Sequence, residues 1–476
     1  MHLPPPETSG LFHIVGIGGI GMSAIAEVMH TRGYRVRGSD LKDGPNLKRL
    51  REHGIECLIG HDPGNVDGAA YLVISSAVKA GNPEFEAAQE RAIPIIRRAE
   101  MLAELMRPCT TVSVTGTHGK TTTTSLIADL LFGGGLDPTV ITGGIINAWG
   151  TNARIGQGEW MVVEADESDG TFVKLPTQIG IITNIDPEHM DFWASEDVLY
   201  QAFEQFIEAI PFYGVVVACI DHPVVRSLIA TLGGAENGRR ILTYGVSRSA
   251  DIRLFNVRPD HATITFDVRL GSGVAGGARE LKDLMLPSLG HYNALNAIAA
   301  LAVATEAGIS DEKIRATLAN FSGVKRRFTR VGEWRGVAIY DDYAHHPVEI
   351  ASVLRGANAA GEGRIVAVMQ PHRYTRLQAL FNDFSACFDD ADIVVLTPVY
   401  SAGEAPIPGI DRDELAAGLR RHGHPHVLLV DDEESLAATI ASVVEKGDLV
   451  VGLGAGTITD WINALPGRLA AEGDTA

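Results

Sequence analysis

The stretch Thr115-Gly116-Thr117-His118-Gly119-Lys120-Thr121-Thr122-Thr123-Thr124 follows an apolar, strand-like run, Thr110 to Val114, and opens a helical pattern. Residues of these types at this spacing suit phosphate. Glycines let backbone N–H groups close around phosphate oxygens, a helix N-terminus adds a favourable dipole, the Lys120 ammonium reaches terminal phosphates, and the Thr121 hydroxyl suits a magnesium ion. The common form of such a loop would place glycine at position 114, where this chain has Val114. The loop is therefore a shortened Gly116-x-x-Gly119-Lys120-Thr121 variant, set apart from the ordinary switch and motor nucleotide hydrolases.

Two later strand ends carry matching chemistry. The run Trp160 to Val163 delivers Glu164, the preferred magnesium ligand, at the start of Glu164-Ala165-Asp166-Glu167-Ser168-Asp169. The run Gln178 to Thr183 leads into Asn184-Ile185-Asp186-Pro187-Glu188-His189-Met190-Asp191. Magnesium prefers oxygen, so chemistry alone ranks Asp186, Glu188 or Asp191 ahead of His189. Asn293, in Gly290-His291-Tyr292-Asn293, could read an adenine edge or cap the alanine-rich helix that follows.

A different glycine loop, Gly16-Ile17-Gly18-Gly19-Ile20-Gly21, lies after the strand-like run from Phe12 and before a helix beginning near Met22. Gly16, Gly18, Gly19 and Gly21 permit a tight turn and close approach of a diphosphate. Asp40, after a second strand from Tyr34 to Gly38, is placed either to hold a ribose hydroxyl or to serve as a turn acid. Taken alone this loop suits a nicotinamide dehydrogenase or any nucleotide diphosphate, a UDP-sugar included.

Elements that must position these groups alternate between strand and helix along the whole chain, the pattern of parallel α/β sheets. The length of 476 residues gives three segments: 1–107, Rossmann-like; 108–323, holding the phosphate loop and a β-rich insertion from Asp251 to Pro287; and 324–476, again α/β. Strands in the third are expected at Trp334–Asp342, Arg364–Gln370, Ile393–Leu396 and Asp448–Leu453. Their ends carry Asp341-Asp342-Tyr343-Ala344-His345-His346-Pro347 and Gln370-Pro371-His372-Arg373-Tyr374-Thr375-Arg376, where Arg373 and Arg376 could clamp an anion.

Composition narrows the class. Hydrophobic residues make up 45% and charged residues 21%, as in a globular enzyme. The net charge of −19 argues against a nucleic-acid partner. Cys57, Cys109, Cys219 and Cys387 are far apart, without a zinc or disulfide framework, which fits a reducing cytosol. Neither an export signal nor a membrane-spanning run is read, so a cytoplasmic protein without membrane insertion is expected.

With Gly16-Ile-Gly-Gly-Ile-Gly21-Met22-Ser23, Gly116-Thr-His-Gly-Lys-Thr121, Glu164-Ala-Asp-Glu-Ser-Asp169, Gly290-His-Tyr-Asn293, Asp342-Tyr-Ala-His-His-Pro347 and Gln370-Pro-His-Arg373-Tyr-Thr-Arg376 in this order, the chain resembles the bacterial Mur ligases over all three segments. The resemblance implies a UDP-sugar on the first segment, ATP on the second, and a third segment that closes over both with the amino acid. UDP-N-acetylmuramate and L-alanine are the implied substrates, and a monomer or weak homodimer is expected.

By the same resemblance Thr121, Glu164 and His189 hold magnesium, and Lys120 stabilises the transferred phosphate. The loop Gly116 to Thr122, Asn293 and Asp342 would serve ATP. Tyr343, His345, Arg373 and Arg376 would face the muramoyl or amino-acid side, with His345 and Arg373 counted among the catalytic groups. No general base is assigned. A nicotinamide oxidoreductase explains only the first glycine loop, and a nucleotide-regulated binding protein leaves the paired nucleotide sites without a use.

Overall fold

A computed structural model describes residues 3–473 apart from 76, 191, 233–237, 261–262 and 362. Among these residues there are three sheets. The first, all parallel, has the order Glu56–Ile59, Arg35–Asp40, Leu11–Val15, Ala69–Ile74, Ile95–Arg97. The second runs Arg279–Leu286, Thr263–Leu270, Ile252–Asp260, Arg240–Gly245, Val215–Cys219, Ile179–Ile182, Thr110–Thr115, Trp160–Glu164, Thr139–Ile146, Thr151–Arg154. The third has the order Thr329–Trp334, Val337–Asp342, Leu449–Leu453, Ile365–Met369, Ile393–Leu396, Val427–Leu429.

Central strands such as Ile179–Ile182 and Val215–Cys219 are buried at every position. Their sequences are accordingly continuous apolar runs, because helices cover both faces of a parallel sheet. The helix Lys120–Gly134 has four threonines directly after Lys120, poor helix formers whose placement here is set by burial. It stops at Gly135, whose left-handed φ of 91° lets its N–H return to Leu131 O.

Two compact units emerge. One gathers residues 1–255, 267–282 and 295–321; the other gathers 256–266, 283–294 and 322–476. Among the described residues no helix is long and apolar enough to cross a membrane.

The expected strand from Trp334 to Asp342 is instead the second half of a hairpin. Thr329–Trp334 pairs antiparallel with Val337–Asp342 across Arg335 and Gly336, both at positive φ (50° and 82°). That is the backbone a two-residue hairpin turn demands, and arginine at its first position hides the signal. The helix after the first glycine loop starts at Ile20, two residues ahead of Met22.

Beneath the first glycine loop lies a buried polar cluster that the sequence did not announce. Glu84, fully buried, accepts from Ser39 Oγ (2.5 Å) and Asn65 Nδ2 (2.5 Å), with His13 Nε2 and His61 Nδ1 each 3.3 Å away. Burial opposes its ionisation, yet hydrogen bonds from His13, Ser39 and Asn65 outweigh that and hold its pKa near 2. Ser39 and His61 are thereby fixed at the ends of adjacent strands.

Glu84→Gln keeps the volume but removes the charge for which the donors are arranged, so unfolding free energy should fall by about 2 kcal/mol at neutral pH. Since the folded pKa is depressed, this contribution is complete above the unfolded value of about 4.5 and fades as pH drops toward 2. Urea melts of both proteins at pH 7 and pH 3 test it. Equal midpoints at pH 7 would contradict the assignment.

Candidate functional site

In the first unit, the strand Thr110–Thr115 lies between Trp160–Glu164 and Ile179–Ile182, all parallel. Their C-terminal loops are therefore neighbours, and each supplies polar groups to one place. Gly116 and Glu164 close two of these strands, while the loop after the third begins at Thr183.

The phosphate loop is tied down on its outer side. Its backbone bends through Gly116 (φ 121°) and Gly119 (φ 86°), and a Cβ on Gly116 would stand 2.3 Å from Thr183 Oγ1. On Gly119 it would meet Asn296 Oδ1 at 2.7 Å. Asn184 brackets His118, accepting from its N–H (2.7 Å) and donating to its carbonyl (3.0 Å). The Thr117 hydroxyl receives the Asp186 N–H at 2.8 Å, and the Thr122 side chain turns into the interior.

Lys120 leaves this loop as its one cationic side chain. Its ammonium donates to Gly116 O (2.7 Å), Thr117 O (3.1 Å) and Glu167 Oε2 (2.9 Å). Burial disfavours the charged form, but Glu167, Asp166 and Glu164 outweigh it and raise the pKa above the ordinary lysine value. The lysine is a fixed positive charge.

Glu164 faces the same loop from the neighbouring strand. Oε1 accepts the Thr121 hydroxyl at 3.0 Å, while Oε2 accepts the Thr142 hydroxyl and the Gly143 N–H, each at 2.7 Å. Asp166, Glu167 and His189 form a second group, each offering a ligand atom within 4.8 Å of the others. His189 holds a left-handed φ of 56°. The pKa of Asp166, an exposed side chain, is lowered by Lys120, the Ser168 N–H and His189, which together outweigh its partial desolvation.

These groups fit magnesium, which takes oxygen ligands and keeps several waters. The expected ligands fall into two sets, Thr121 with Glu164 and His189 with Asp166 and Glu167. Asp166 and Glu167 were passed over in the sequence, although they follow Glu164 within its own strand-end run. Asp186, ranked ahead of His189 by ligand chemistry, is committed elsewhere, with His222 Nε2 at 3.2 Å and His118 Nε2 at 3.4 Å. Those two imidazoles overcome the effect of burial and lower its pKa. Asp191 lies outside the described residues.

The first glycine loop is also within this unit. Gly16 has φ 71°, Gly19 N–H returns to Gly16 O (3.0 Å), and Gly19 precedes the helix Ile20–Thr31. Asp40 acts as the turn acid here, its Oδ2 accepting the Gly18 N–H at 2.9 Å. A Cβ at position 18 would stand 2.3 Å from Leu47 Cδ1 and 2.9 Å from Asp40 Oδ2, so a side chain there would have to displace both. A Cβ on Gly21 would lie 3.2 Å from the Arg98 guanidinium.

The second unit assembles the remaining candidates. The rings of Tyr343, His345, His372 and Tyr400 form a continuous row, with centroids 5.1, 5.6 and 5.3 Å apart in that order. Arg326 lies over Tyr343 at 4.7 Å. His345 Nδ1 is 3.0 Å from Tyr343 O and 3.4 Å from Glu349 Oε2. Arg373, at φ 69°, precedes the short helix Tyr374–Ala379 that carries Arg376.

Burial, followed by the positive neighbours His345, Arg376 and Arg373, pushes the pKa of His372 down to about 4. The oxygens of Asp342 accept the N–H groups of Phe328 and Ala344, both at 2.7 Å. Burial is the dominant influence and pushes its pKa up to about 6. Asn293 sits within the first turn of the helix His291–Glu306 rather than at its cap, and its amide donates to Ser288 Oγ and Leu289 O, both at 2.7 Å.

A lysine-bearing phosphate loop after a parallel strand, with acids at the end of the neighbouring parallel strand, is the arrangement of a nucleotide-dependent phosphoryl-transfer protein. Three family profiles match in succession: Mur ligase family, catalytic domain, at residues 11–109; Mur ligase middle domain, at 114–304; and Mur ligase, glutamate ligase domain, at 326–456. The chain belongs to the Mur ligase family.

It is 58% identical over 466 residues to a UDP-N-acetylmuramate--L-alanine ligase of Methylorubrum populi, covering 98% of this chain and 99% of that one. A protein of the same name from Bradyrhizobium diazoefficiens is 57% identical, with coverage of 98% and 99%. Among solved structures, the UDP-N-acetylmuramate-alanine ligase MurC of Thermotoga maritima superposes with TM-score 0.78 at 27% identity, covering 97% of this chain and 100% of that one. A murein peptide ligase of Psychrobacter arcticus shares the fold, with TM-score 0.67, 21% identity and coverage of 97% and 98%.

The packing of His372 has a direct spectroscopic consequence. Its imidazole should remain neutral at pH 7 and titrate near pH 4, well below the ordinary 6.5. Proton NMR of the ring, assigned by comparison with His372→Gln, measures the midpoint. A value at or above 6.5 would contradict the described environment.

Proposed function

We propose that the protein uses ATP to join L-alanine to UDP-N-acetylmuramate, forming UDP-N-acetylmuramoyl-L-alanine, ADP and phosphate. The observation that carries this reading is Lys120, fixed in its phosphate loop among Glu164, Asp166 and Glu167. It is supported by the near-full-length likeness to ligases bearing that name.

A carboxylate and an amine do not condense readily in water, so the acid must first gain a leaving group. A lactyl carboxylate oxygen of UDP-N-acetylmuramate attacks the terminal phosphorus of ATP, the bond to the bridging oxygen breaks, and ADP departs. The neutral amine of L-alanine then attacks the acyl carbon. The C–O bond to phosphate breaks, and the proton lost from nitrogen passes to solvent.

Lys120 stabilises charge on the transferred group, and the N–H groups from Gly116 to Thr122 hold the phosphates. Thr121 and Glu164, together with His189, Asp166 and Glu167, would supply the ligands for magnesium. When bound, that ion neutralises phosphate charge. Gly16, Gly18, Gly19 and Gly21 receive the UDP diphosphate, beside Asp40, whose carboxylate accepts the Gly18 N–H.

Asn293 and Asp342 serve the ATP side, the latter through the loop it secures at Phe328 and Ala344. Tyr343, His345, Arg373 and Arg376 serve the acid and the amino acid, where the two arginines suit carboxylates. The reading places the protein in the cytoplasm as a monomer or weak homodimer, acting on small molecules and not on nucleic acid.

Phosphate should appear only when ATP, UDP-N-acetylmuramate and L-alanine are all present, with a product heavier by one alanine residue. A peptide that begins with alanine should be a poorer acceptor. Hydride transfer without ATP, or nucleotide binding without product, would overturn the reading. Lys120→Ala should bind UDP-N-acetylmuramate nearly as well as the parent by calorimetry, while ADP formation falls by about 10²-fold or more. Unchanged turnover would remove Lys120 from the reaction.

A further inference from the structure

Two ties join the first glycine-loop helix to the acids around the phosphate loop, and the reaction steps above use neither. Asn152, on the strand Thr151–Arg154 and only 4% exposed, donates from Nδ2 to the carbonyl of Ile20 at 3.0 Å. The same nitrogen lies 3.5 Å from Thr142 O. Thr142 donates its hydroxyl to Glu164 Oε2 at 2.7 Å, and Glu164 Oε1 accepts from Thr121 at 3.0 Å. A chain of polar contacts thus runs from the first residue of the glycine-loop helix to the phosphate loop.

The second tie is ionic. Arg98 opens the helix Arg98–Met106 and packs its guanidinium against Gly21, while its Nη2 stands 3.3 Å from Asp169 Oδ2. Asp169 belongs to the loop that contains Asp166 and Glu167, and its Oδ1 is held by the Thr171 N–H at 3.1 Å. Both ties lie within the first compact unit.

Apolar packing alone could join these elements, but it tolerates sliding. A buried amide does not. Moved off its acceptors, the Asn152 amide would be left desolvated and unpaired, so the contact fixes one register. Transfer of phosphate to an acid held on the other loop is sensitive to such register, because misplacement by ~1 Å can lower a rate about 10²-fold.

We propose that Asn152 and Arg98 are positioning residues that hold the sugar nucleotide's acid in register with the terminal phosphate of ATP. The proposal rests on the ligase reading. With the register shared, occupancy of either nucleotide site should strengthen the other, and by linkage the effect should be reciprocal.

The test uses the full-length protein with Asn152→Ala, Arg98→Met and Arg98→Lys. Calorimetry measures UDP-N-acetylmuramate and a non-hydrolysable ATP analogue with magnesium, each alone and each in the presence of the other, and a coupled assay follows ADP. For Asn152→Ala and Arg98→Met, each nucleotide alone should bind within about threefold of the parent, ADP formation should fall at least about tenfold, and mutual strengthening should largely vanish. Arg98→Lys should recover part of both losses.

Retained turnover and coupling in either variant would overturn the proposal. So would single-nucleotide binding that weakens in parallel with turnover, the mark of a merely structural role, or a parent protein whose two sites bind independently. Should Asn152→Ala fail to fold, Arg98→Met, at a half-buried position, decides alone. A parent that forms no ADP from these substrates defeats the ligase reading itself, whereas independent sites in an active parent defeat only the positioning role.

Discussion

The arrangement of the phosphate-loop site depends on keeping the Lys120 ammonium charged and still while it is largely out of water. Its side chain is 12% exposed and that of Glu167 is 1% exposed, a setting in which an unpaired charge would be very costly. Two loop carbonyls and the Glu167 carboxylate absorb the ammonium's donors. The carboxylate among them is in reach because Trp160–Glu164, whose following loop carries Glu167, is a direct sheet neighbour of Thr110–Thr115. Strand order is thus what makes the buried lysine tolerable, and a separated pair of loops could not hold it.

The first sheet solves a related problem with the opposite charge. Glu84 is a buried carboxylate surrounded by donors from three other elements, and it fixes strand ends without being part of the glycine loop. Asp40 completes the arrangement by holding Gly18. In the second unit, burial beside cations keeps His372 neutral within a row of aromatic rings, so positive charge there comes from arginines and not from the imidazole. Each area fixes its ionisation states through packing.

Much of the site was legible because its chemistry is local in the chain. The glycines, Lys120 and Thr121 of the phosphate loop act through spacing along one turn, and Glu164 ends an apolar run whose burial can be read directly. Glu84, Asn152 and Arg98 gave no such signal. Their partners are 45, 132 and 71 residues away, and an isolated Asn, Glu or Arg in a helical or strand pattern reads as surface. The hairpin at Arg335-Gly336 was hidden for a different reason, since arginine rarely announces a left-handed turn position.

The sequence by itself determined the α/β class, the two glycine loops and the order of the motifs, because apolar periodicity and loop spacing are properties of neighbours along the chain. Only the tertiary structure decided which acids meet. It set Thr121 with Glu164, gathered His189 with Asp166 and Glu167, and withdrew Asp186 between His118 and His222. Candidates of equal ligand chemistry were separated by strand adjacency and backbone direction, which are fixed when distant segments pack and carry no mark in the residues alone.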